Sequence, residues 1–268
     1  MSAPGPSRLA ALLVAIGMYA PTTRADAYIE TDGPDFVESS QAVGKGRFQF
    51  EAGMAKERGR RDNGIRKTLS TPTLLRFGMT ESVEARLETQ GRLREALDVA
   101  GSEIQSVRSG NGDFALGLKW HSQDADGAAG KPAISWIYHL DTPTGSDGFR
   151  GRGVRPSLRS VITWEMPADL SLGLMPGMKY DAGANGHRFT SGILGAVLGK
   201  RWPGNFRTFV ETSATQIARA HDGGVLLSWD VGAAYLVNND WQIGARIAVG
   251  ANRNTPNNLF LLSLAGRF

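Results

Sequence analysis

Apolar and polar side chains alternate along most of the chain after residue 46. The alternation is clearest at 83–92, where Glu84, Arg86, Glu88, Gln90 and Arg92 take every second position and mainly apolar or small residues lie between them. A period of two is typical of a β-strand with two different faces, whereas a helix would scatter these side chains around its circumference. Eleven further segments repeat the pattern, so the sequence predicts an all-β protein of about twelve strands.

The final segment, 258–268, indicates what surrounds these strands. Phe260, Leu262, Leu264 and Phe268 occupy one parity, and the sequence ends on the aromatic residue. A strand of this kind resembles the last strand of bacterial outer-membrane barrels, whose apolar positions face lipid. The alternative is an ordinary sandwich strand that covers a soluble core.

The connections between the segments separate these two interpretations. Short links at 80–82, 167–169, 203–204 and 238–240 alternate, with one exception, with longer ones such as 57–66, 93–111 and 142–154. Membrane barrels combine tight periplasmic turns with long outer loops. An even strand number and this alternation favour the membrane barrel.

Tryptophan placement agrees with that orientation. With both termini periplasmic, five tryptophans fall near the periplasmic ends of their strands, and Trp229 lies toward the outside. The five are Trp120, Trp136, Trp164, Trp202 and Trp241. A rim of this kind is an aromatic girdle. We therefore predict a single transmembrane antiparallel up-and-down β-barrel over residues 46–268.

Composition and the N-terminal segment indicate the cellular compartment of the protein. The chain is 41% hydrophobic with a mean hydropathy of −0.23, an average that hides barrels because lipid-facing and interior positions cancel. Residues 1–27 read as a cleaved signal peptide, with Arg8 before an apolar run and a small-residue cleavage site at Ala25 to Ala27. Residues 28–45 are acidic and aperiodic, which indicates a periplasmic lead-in segment. The bacterial outer membrane is the expected location.

Several short motifs also resemble a known family. They are 35–39 (DFVES), 45–51 (KGRFQFE), 73–84 (TLLRFGMTESVE), 111–120 (NGDFALGLKW), 143–145 (PTG) and 266–268 (GRF). In this order they resemble the outer-membrane transporters labelled as belonging to the MetA pathway of phenol degradation. The resemblance implies an outer-membrane barrel of the transporter or channel type.

Charged residues of one parity are expected to line the lumen, because Arg or Lys facing lipid near the midplane costs about 2–4 kcal/mol. The predicted lumen-lining set is Arg47, Glu51, Arg76, Glu84, Arg86, Glu88, Arg92, Asp113, Lys119, Arg159, Glu165, Lys179, Glu211, Asp230 and Arg246, together with Arg267 of the last strand. One interpretation is a polar pore with weak anion preference that passes small solutes, including aromatic or anionic ones. The other is a structural barrel whose lumen is filled by paired charges.

An outer-membrane hydrolase acting on lipid or peptide is a further alternative. His139 shares lumen parity with Ser135 and Asp141, but these residues follow one strand and do not converge on one point. His187 and His221 fall in predicted outer loops. Cysteine is absent, and neither a phosphate-binding glycine motif nor a metal-ligand spacing occurs, so no catalytic, cofactor or metal site is predicted.

The expected partners follow from the location. The last strand, ending at Phe268, would engage the barrel-assembly machinery. The predicted first outer loop carries a basic cluster of Arg58, Arg60, Arg61, Arg66 and Lys67, which could contact lipopolysaccharide phosphates or gather anions at a pore mouth. The alternative for that loop is simple solvation. Outer-membrane lipids and a small-molecule solute complete the expected partners, and a nucleic acid is not among them.

Overall fold

A computed structural model describes residues 28–61, 64–99, 105–183 and 185–268. The predicted signal peptide, 1–27, lies outside these ranges. The strands are β1 Phe48–Arg61, β2 Gly64–Ser70, β3 Thr73–Gly78, β4 Val83–Thr89, β5 Arg92–Val99, β6 Gln105–Asn111, β7 Phe114–Gln123, β8 Ala133–Asp141, β9 Arg155–Met166, β10 Leu170–Ala182, β11 Arg188–Trp202, β12 Phe206–Ile217, β13 Val225–Asn238, β14 Trp241–Gly250 and β15 Asn258–Arg267. Within the described ranges, no helix is long and apolar enough to span a membrane.

The strands form one closed antiparallel sheet. β15 pairs with β14 on one side and with β1 on the other, from Gln49 opposite Arg267 to Arg58 opposite Asn258. Three pairs of consecutive strands, β2 with β3, β4 with β5 and β6 with β7, each form one interrupted barrel strand. The predicted twelve-strand barrel is therefore confirmed.

The three interruptions form a crease across neighbouring strands. They fall at residues 71–72, 90–91 and 112–113. Gly91 has φ +64°, and a Cβ there would overlap the carbonyl oxygen of Thr71, so the crease requires glycine. The residue parity changes at this point: Leu93 is buried, whereas Arg92 is exposed on the opposite face. The prediction that Arg92 lines the lumen is wrong because the alternation does not continue through the crease.

Two predicted outer loops are strands. Residues 57–66 belong mostly to the β1–β2 hairpin, and 93–111 mostly to the β5–β6 hairpin. Beyond the membrane, both faces of a sheet meet water, so these strands carry polar residues on both parities and lack the apolar signal. The other predicted links, including the long loop after β8 and the turns after β9, β11 and β13, lie between strands as expected.

The outer surface carries the predicted apolar positions. Phe260, Leu262 and Leu264 of β15 are all exposed, and exposed apolar side chains recur around the barrel. Trp202 ends β11 at a short turn and Trp241 begins β14 after another, while Trp229 pairs with Val249 near the opposite rim. The girdle at the predicted periplasmic rim therefore follows from the strand register.

The segment 28–45 differs from its prediction as a periplasmic lead-in. In the structure, residues 29–43 lie inside the barrel, with Ile29, Asp32, Val37, Ser40 and Val43 all buried. The physical reason is complementarity, since the acidic side chains and backbone N–H groups of this segment meet charged and polar partners on the inner wall.

Candidate functional site: the lumen and its N-terminal plug

Residues 29–43, named the plug here, occupy the lumen toward the periplasmic rim. The segment begins there, where the Ile29 amide donates to the carbonyl of Asn239 in the β13–β14 turn at 2.6 Å. It ends with the Val43 amide donating to Glu84 of β4 at 2.9 Å. The plug is thus fastened at both ends to different parts of the wall.

Asp32 lies at the centre of a buried charge cluster. Its carboxylate accepts from Arg86 at 2.6 Å and from Lys119 at 2.7 Å, and Arg76 lies at 3.6 Å. Burial alone would raise the pKa of Asp32, but Arg76, Lys119 and Arg86 together hold it well below the ordinary value. Asp32 is therefore an anion that balances three cations of the wall.

Two wall carboxylates share these cations. Glu84 accepts from Arg76 at 2.8 Å and Arg86 at 2.9 Å, and Glu51 accepts from Arg76 at 3.2 Å. Without the plug, only two carboxylates, those of Glu84 and Glu51, would be available to balance the charges of Arg76, Arg86 and Lys119. The sequence places these charges on one parity, and the plug supplies the missing negative charge.

Glu38 makes a second ionic bridge between the plug and the wall. Its two carboxylate oxygens accept from Arg86 and Arg159, each at 2.7 Å. His139 lies between the same two arginines, with Nε2 at 3.2 Å from Arg86 and Nδ1 at 2.6 Å from Arg159. The imidazole lies between two arginine side chains and is only 2% exposed, and a neutral ring accepts a hydrogen bond at one of its two nitrogens. His139 therefore belongs to the set of wall residues that bind the plug, which we call the seat of the plug.

Backbone groups of the plug are bound as well. Glu211 accepts from the amides of Phe36 and Val37 at 2.9 and 2.7 Å, and Glu51 accepts from those of Asp32 and Gly33. A carboxylate that receives two adjacent N–H groups fixes a chain segment in position and orientation. These contacts satisfy the amides that a buried non-sheet segment would otherwise leave unpaired.

An apolar contact completes the seat. Val37 packs in a buried cluster with Ile137, Val161, Met175, Val197 and Phe209, and Phe36 packs against its edge. Gly173 and Gly195 provide the space, since a Cβ at Gly195 would lie 2.6 Å from a Val37 methyl. Burial of a valine side chain contributes about 1.5–3 kcal/mol.

The carbonyl of Ser40 is held by a Ser–His pair. His121 Nδ1 lies 2.8 Å from this oxygen, the Ser135 hydroxyl donates to it, and His121 Nε2 lies 2.8 Å from Asp124. The Ser135 and His121 side chains are only 3.4 Å apart, which has the order of a catalytic triad. However, both groups are directed at the plug, and Ser135 is fully buried. The arrangement therefore binds the segment and offers no accessible nucleophile.

A cavity of about 680 Å³ lies above the plug. Its lining includes plug residues 32–36 and Glu38, apolar side chains of β5 and β15, and charged side chains from several strands. The wall charges in addition to the plug's are Glu51, Glu57, Glu88, Glu95, Arg66, Arg86, Arg108, Arg159 and Arg246. Among the described residues, the buried Nε atoms of Arg66, Arg159 and Arg246 have no hydrogen-bond partner. The cavity wall thus combines arginine and carboxylate side chains with an apolar surface.

A third group of charges lies toward the outer rim. Arg155 contacts Asp113 at 2.7 Å and Asp181 at 3.5 Å, and Lys179 contacts Asp141 at 2.7 Å. The Asp113 carboxylate also accepts from the amides of Gly145 and Gly151 in the loop after β8. This cluster holds the 142–154 loop against the barrel wall.

The structure thus divides the predicted lumen set into groups. Those in contact with the plug or its partners are Glu51, Arg76, Glu84, Arg86, Lys119, Arg159 and Glu211. Glu88, Asp230 and Arg246 face the lumen beyond it, and Asp113 and Lys179 belong to the outer cluster. Glu165 is exposed near a periplasmic turn, Arg47 precedes β1, and Arg267 binds Asp240 and the Tyr28 carbonyl.

The predicted basic cluster does not form one patch. Arg66 lines the cavity, whereas Arg58, Arg60 and Lys67 are exposed, and Lys67 is paired with Asp98 at 2.6 Å. The side chain of Arg61 lies outside the described residues. Alternation places Arg66 on the inner face, whereas Arg58, Arg60 and Lys67 share the outer face, where Arg58 lies directly opposite Lys67.

Sequence reasoning missed the acidic partners of the lumen. Asp32, Asp35 and Glu38 bind Arg86, Arg207 and Arg159 on the wall, yet they lie in a segment without periodicity. The sequence contained one signal of these partners, which is the excess of basic over acidic residues in the predicted lumen. The expected lumen set had more bases than acids, and the acid-rich aperiodic stretch 28–45 is next to the barrel in sequence.

Comparison with known proteins identifies similar sequences and folds. A family model described as "Putative MetA-pathway of phenol degradation" matches residues 31–268. The fold is similar to an outer membrane channel from Pseudomonas putida F1, with a TM-score of 0.65 at 12% identity over 86% of this chain and 98% of that one. It is also similar to the KdgM porin in complex with oligogalacturonate, with a TM-score of 0.51 at 10% identity over 83% and 99%. A third similar structure is the β domain of the Bordetella autotransporter BrkA, with a TM-score of 0.53 at 14% identity over 82% and 98%. Among curated proteins, none matches the sequence.

Proposed function

We propose that this chain, which belongs to the family described as the MetA pathway of phenol degradation, is an outer-membrane channel for small solutes. We also propose that its own plug gates this channel. The observation that carries the proposal is the set of ionic contacts from Asp32 and Glu38 to Arg86, Lys119 and Arg159. These contacts hold the plug across the lumen, and the charged side chains of the barrel wall make that lumen polar. The channel lies in the outer membrane and conducts when the plug leaves its seat.

The cavity above the plug supports a class of solute. The arginine side chains of Arg66, Arg159 and Arg246 suit a solute with acceptor oxygens, and Leu93, Leu259 and Leu261 provide an apolar surface. Glu57 and Glu88 lie in the same lining and offset the arginines. Small aromatic or aliphatic acids fit this combination of donors and apolar wall.

The test is solute flux into liposomes that contain the purified barrel. Full-length mature protein should admit small acids slowly, and a variant lacking residues 28–43 should admit them much faster. Heat-modifiable migration on a gel, before and after boiling, checks that both proteins are folded. A plug-deleted, folded barrel that remains impermeable would overturn the channel and favour the structural barrel with a filled lumen.

An enzymatic function has weaker support. His139 and Ser135 are buried and their polar atoms are bound to Arg86, Arg159 and the Ser40 carbonyl. A hydrolase would need one of them to reach a substrate. Purified protein is expected to leave phospholipid and peptide substrates intact, and hydrolysis that is lost in the Ser135→Ala variant would contradict this expectation.

A further inference from the structure

Two outer loops bring three metal-ligand side chains together. His187 lies in the loop between β10 and β11, and His221 and Asp222 lie in the loop between β12 and β13, on the short 3₁₀ turn Ala220–Asp222. Because β11 pairs with β12, the residue before one strand and those after the other meet at the same rim. More than thirty residues separate them in sequence, so no local spacing could predict the group.

The distances suit one small cation. Nε2 of His187 lies 3.7 Å from one carboxylate oxygen of Asp222, and Nε2 of His221 lies 3.1 Å from the other. One ligand atom from each of the three residues lies within 4.8 Å of the others. Two ligands on a tetrahedral zinc ion with bonds of about 2.0–2.1 Å are about 3.4 Å apart, so small side-chain rotations would suffice.

The carboxylate is oriented and little exposed. The Asp222 side chain is 8% exposed, whereas the two imidazoles are 58% and 63% exposed. Its backbone is fixed on both sides, because its amide donates to the Arg219 carbonyl and its own carbonyl accepts from Gln216. In the described part of the chain, the carboxylate oxygens contact only the two histidines. The Asp222 carboxylate is therefore positioned to act as a third metal ligand beside the two imidazoles.

We propose that His187, His221 and Asp222 form a zinc site at the outer rim. Two imidazole nitrogens and one carboxylate oxygen suit Zn²⁺, whereas Mg²⁺ and Ca²⁺ prefer oxygen ligands. The fourth position faces solvent and takes water. Bound zinc would join two neighbouring hairpins, and it would restrict the outer loops independently of the plug.

Isothermal titration of the folded, detergent-solubilised protein with zinc chloride tests the site. The protein must lack a polyhistidine tag, since a tag binds zinc by itself. One zinc ion per barrel is expected, and Mg²⁺ should show no binding at the same concentration. Cobalt substitution should give the visible absorption bands of a tetrahedral Co²⁺ site.

The variants His187→Ala, His221→Ala and Asp222→Asn should each weaken zinc binding at least tenfold. Asp147→Asn is the matched control, because Asp147 is an almost fully exposed acid in another outer loop. The gel-migration test shows whether each variant is folded. Absence of stoichiometric binding by the wild type, or equal binding by folded His187→Ala and His221→Ala variants, would overturn the proposal.

Discussion

Replacement of Asp32 by Asn should release the plug. Asp32 binds Arg86 at 2.6 Å and Lys119 at 2.7 Å, and Arg76 lies 3.6 Å away. The variant keeps the size of the side chain and removes its charge. Glu84, Glu51 and Glu38 remain, but the wall cations lose their central partner.

The expected magnitude comes from the burial of this cluster. Arg76, Arg86 and Lys119 have almost no exposed side-chain surface, and Asp32 has 5%. Removal of one partner from a buried ion pair costs about 3–5 kcal/mol. If this cost falls on the seated plug, the ratio of released to seated plug rises by about two to nearly four orders of magnitude, at about 1.4 kcal/mol per tenfold change.

Single-channel recording in planar bilayers measures that ratio as open probability. Asp32→Asn should open far more often than wild type, at the conductance of the plug-deleted barrel. Asp147→Asn is the control because it removes an almost fully exposed carboxylate whose ion-pair partner, Arg150, belongs to an outer loop. A folded Asp32→Asn barrel with the open probability of wild type would refute the reasoning that this ion cluster holds the plug.

Other predictions concern pH, the crease, the last strand and the outer hairpin. Because the pKa of Asp32 is depressed, its stabilisation of the plug is present above the unfolded value of 3.8 and lost as pH falls through the lower folded value. The part of the open probability that depends on Asp32 should therefore change only below about pH 4. Gly91→Ala should destabilise the barrel by about 1–3 kcal/mol, seen as a lower temperature of the gel-migration transition, since φ is +64°. Deletion of Phe268, which exchanges backbone hydrogen bonds with Phe48, should reduce the amount of folded barrel in the outer membrane; unchanged levels would contradict this. Neutralising the exposed Arg58 and Arg60 together should weaken lipopolysaccharide retention at low salt and less so at high salt, where the Debye length is shorter, and equal retention at low salt would leave the hairpin only solvated.

The barrel could be predicted because lipid imposes a periodic pattern on each strand. Phe260, Leu262 and Leu264 are examples of side chains whose position follows from alternation alone. The pattern fails where that constraint ends. Arg92 lies just beyond Gly91, whose backbone bend reverses the parity, and Arg58 lies on a hairpin with water on both faces.

The plug could not be predicted for a different reason. Asp32 and Glu38 reach Lys119 and Arg159 across 87 and 121 residues, and no local pattern records such contacts. His139 is an example of the consequence. From the sequence alone, His139 resembles a lumen histidine that could be replaced without effect. Because it lies between Arg86 and Arg159 in the structure, its replacement by Ala should loosen the plug. Charge balance between wall and lead-in is the one sequence property that pointed to the pairing.

A reversible disulfide tests most directly whether displacement of the plug opens the pore. The chain has no cysteine, and an ideal Cβ at Gly173 would lie 3.1 Å from a methyl carbon of Val37. In a disulfide, the Cβ of one residue is about 3 Å from the sulfur of the other, so Val37→Cys with Gly173→Cys should form a bond if the Val197 side chain, which would lie 2.8 Å from the new Cβ, shifts slightly. In the Asp32→Asn background, the oxidised protein should be closed and the reduced protein should show the high open probability of Asp32→Asn. An oxidised, cross-linked barrel that still conducts like Asp32→Asn would contradict the account.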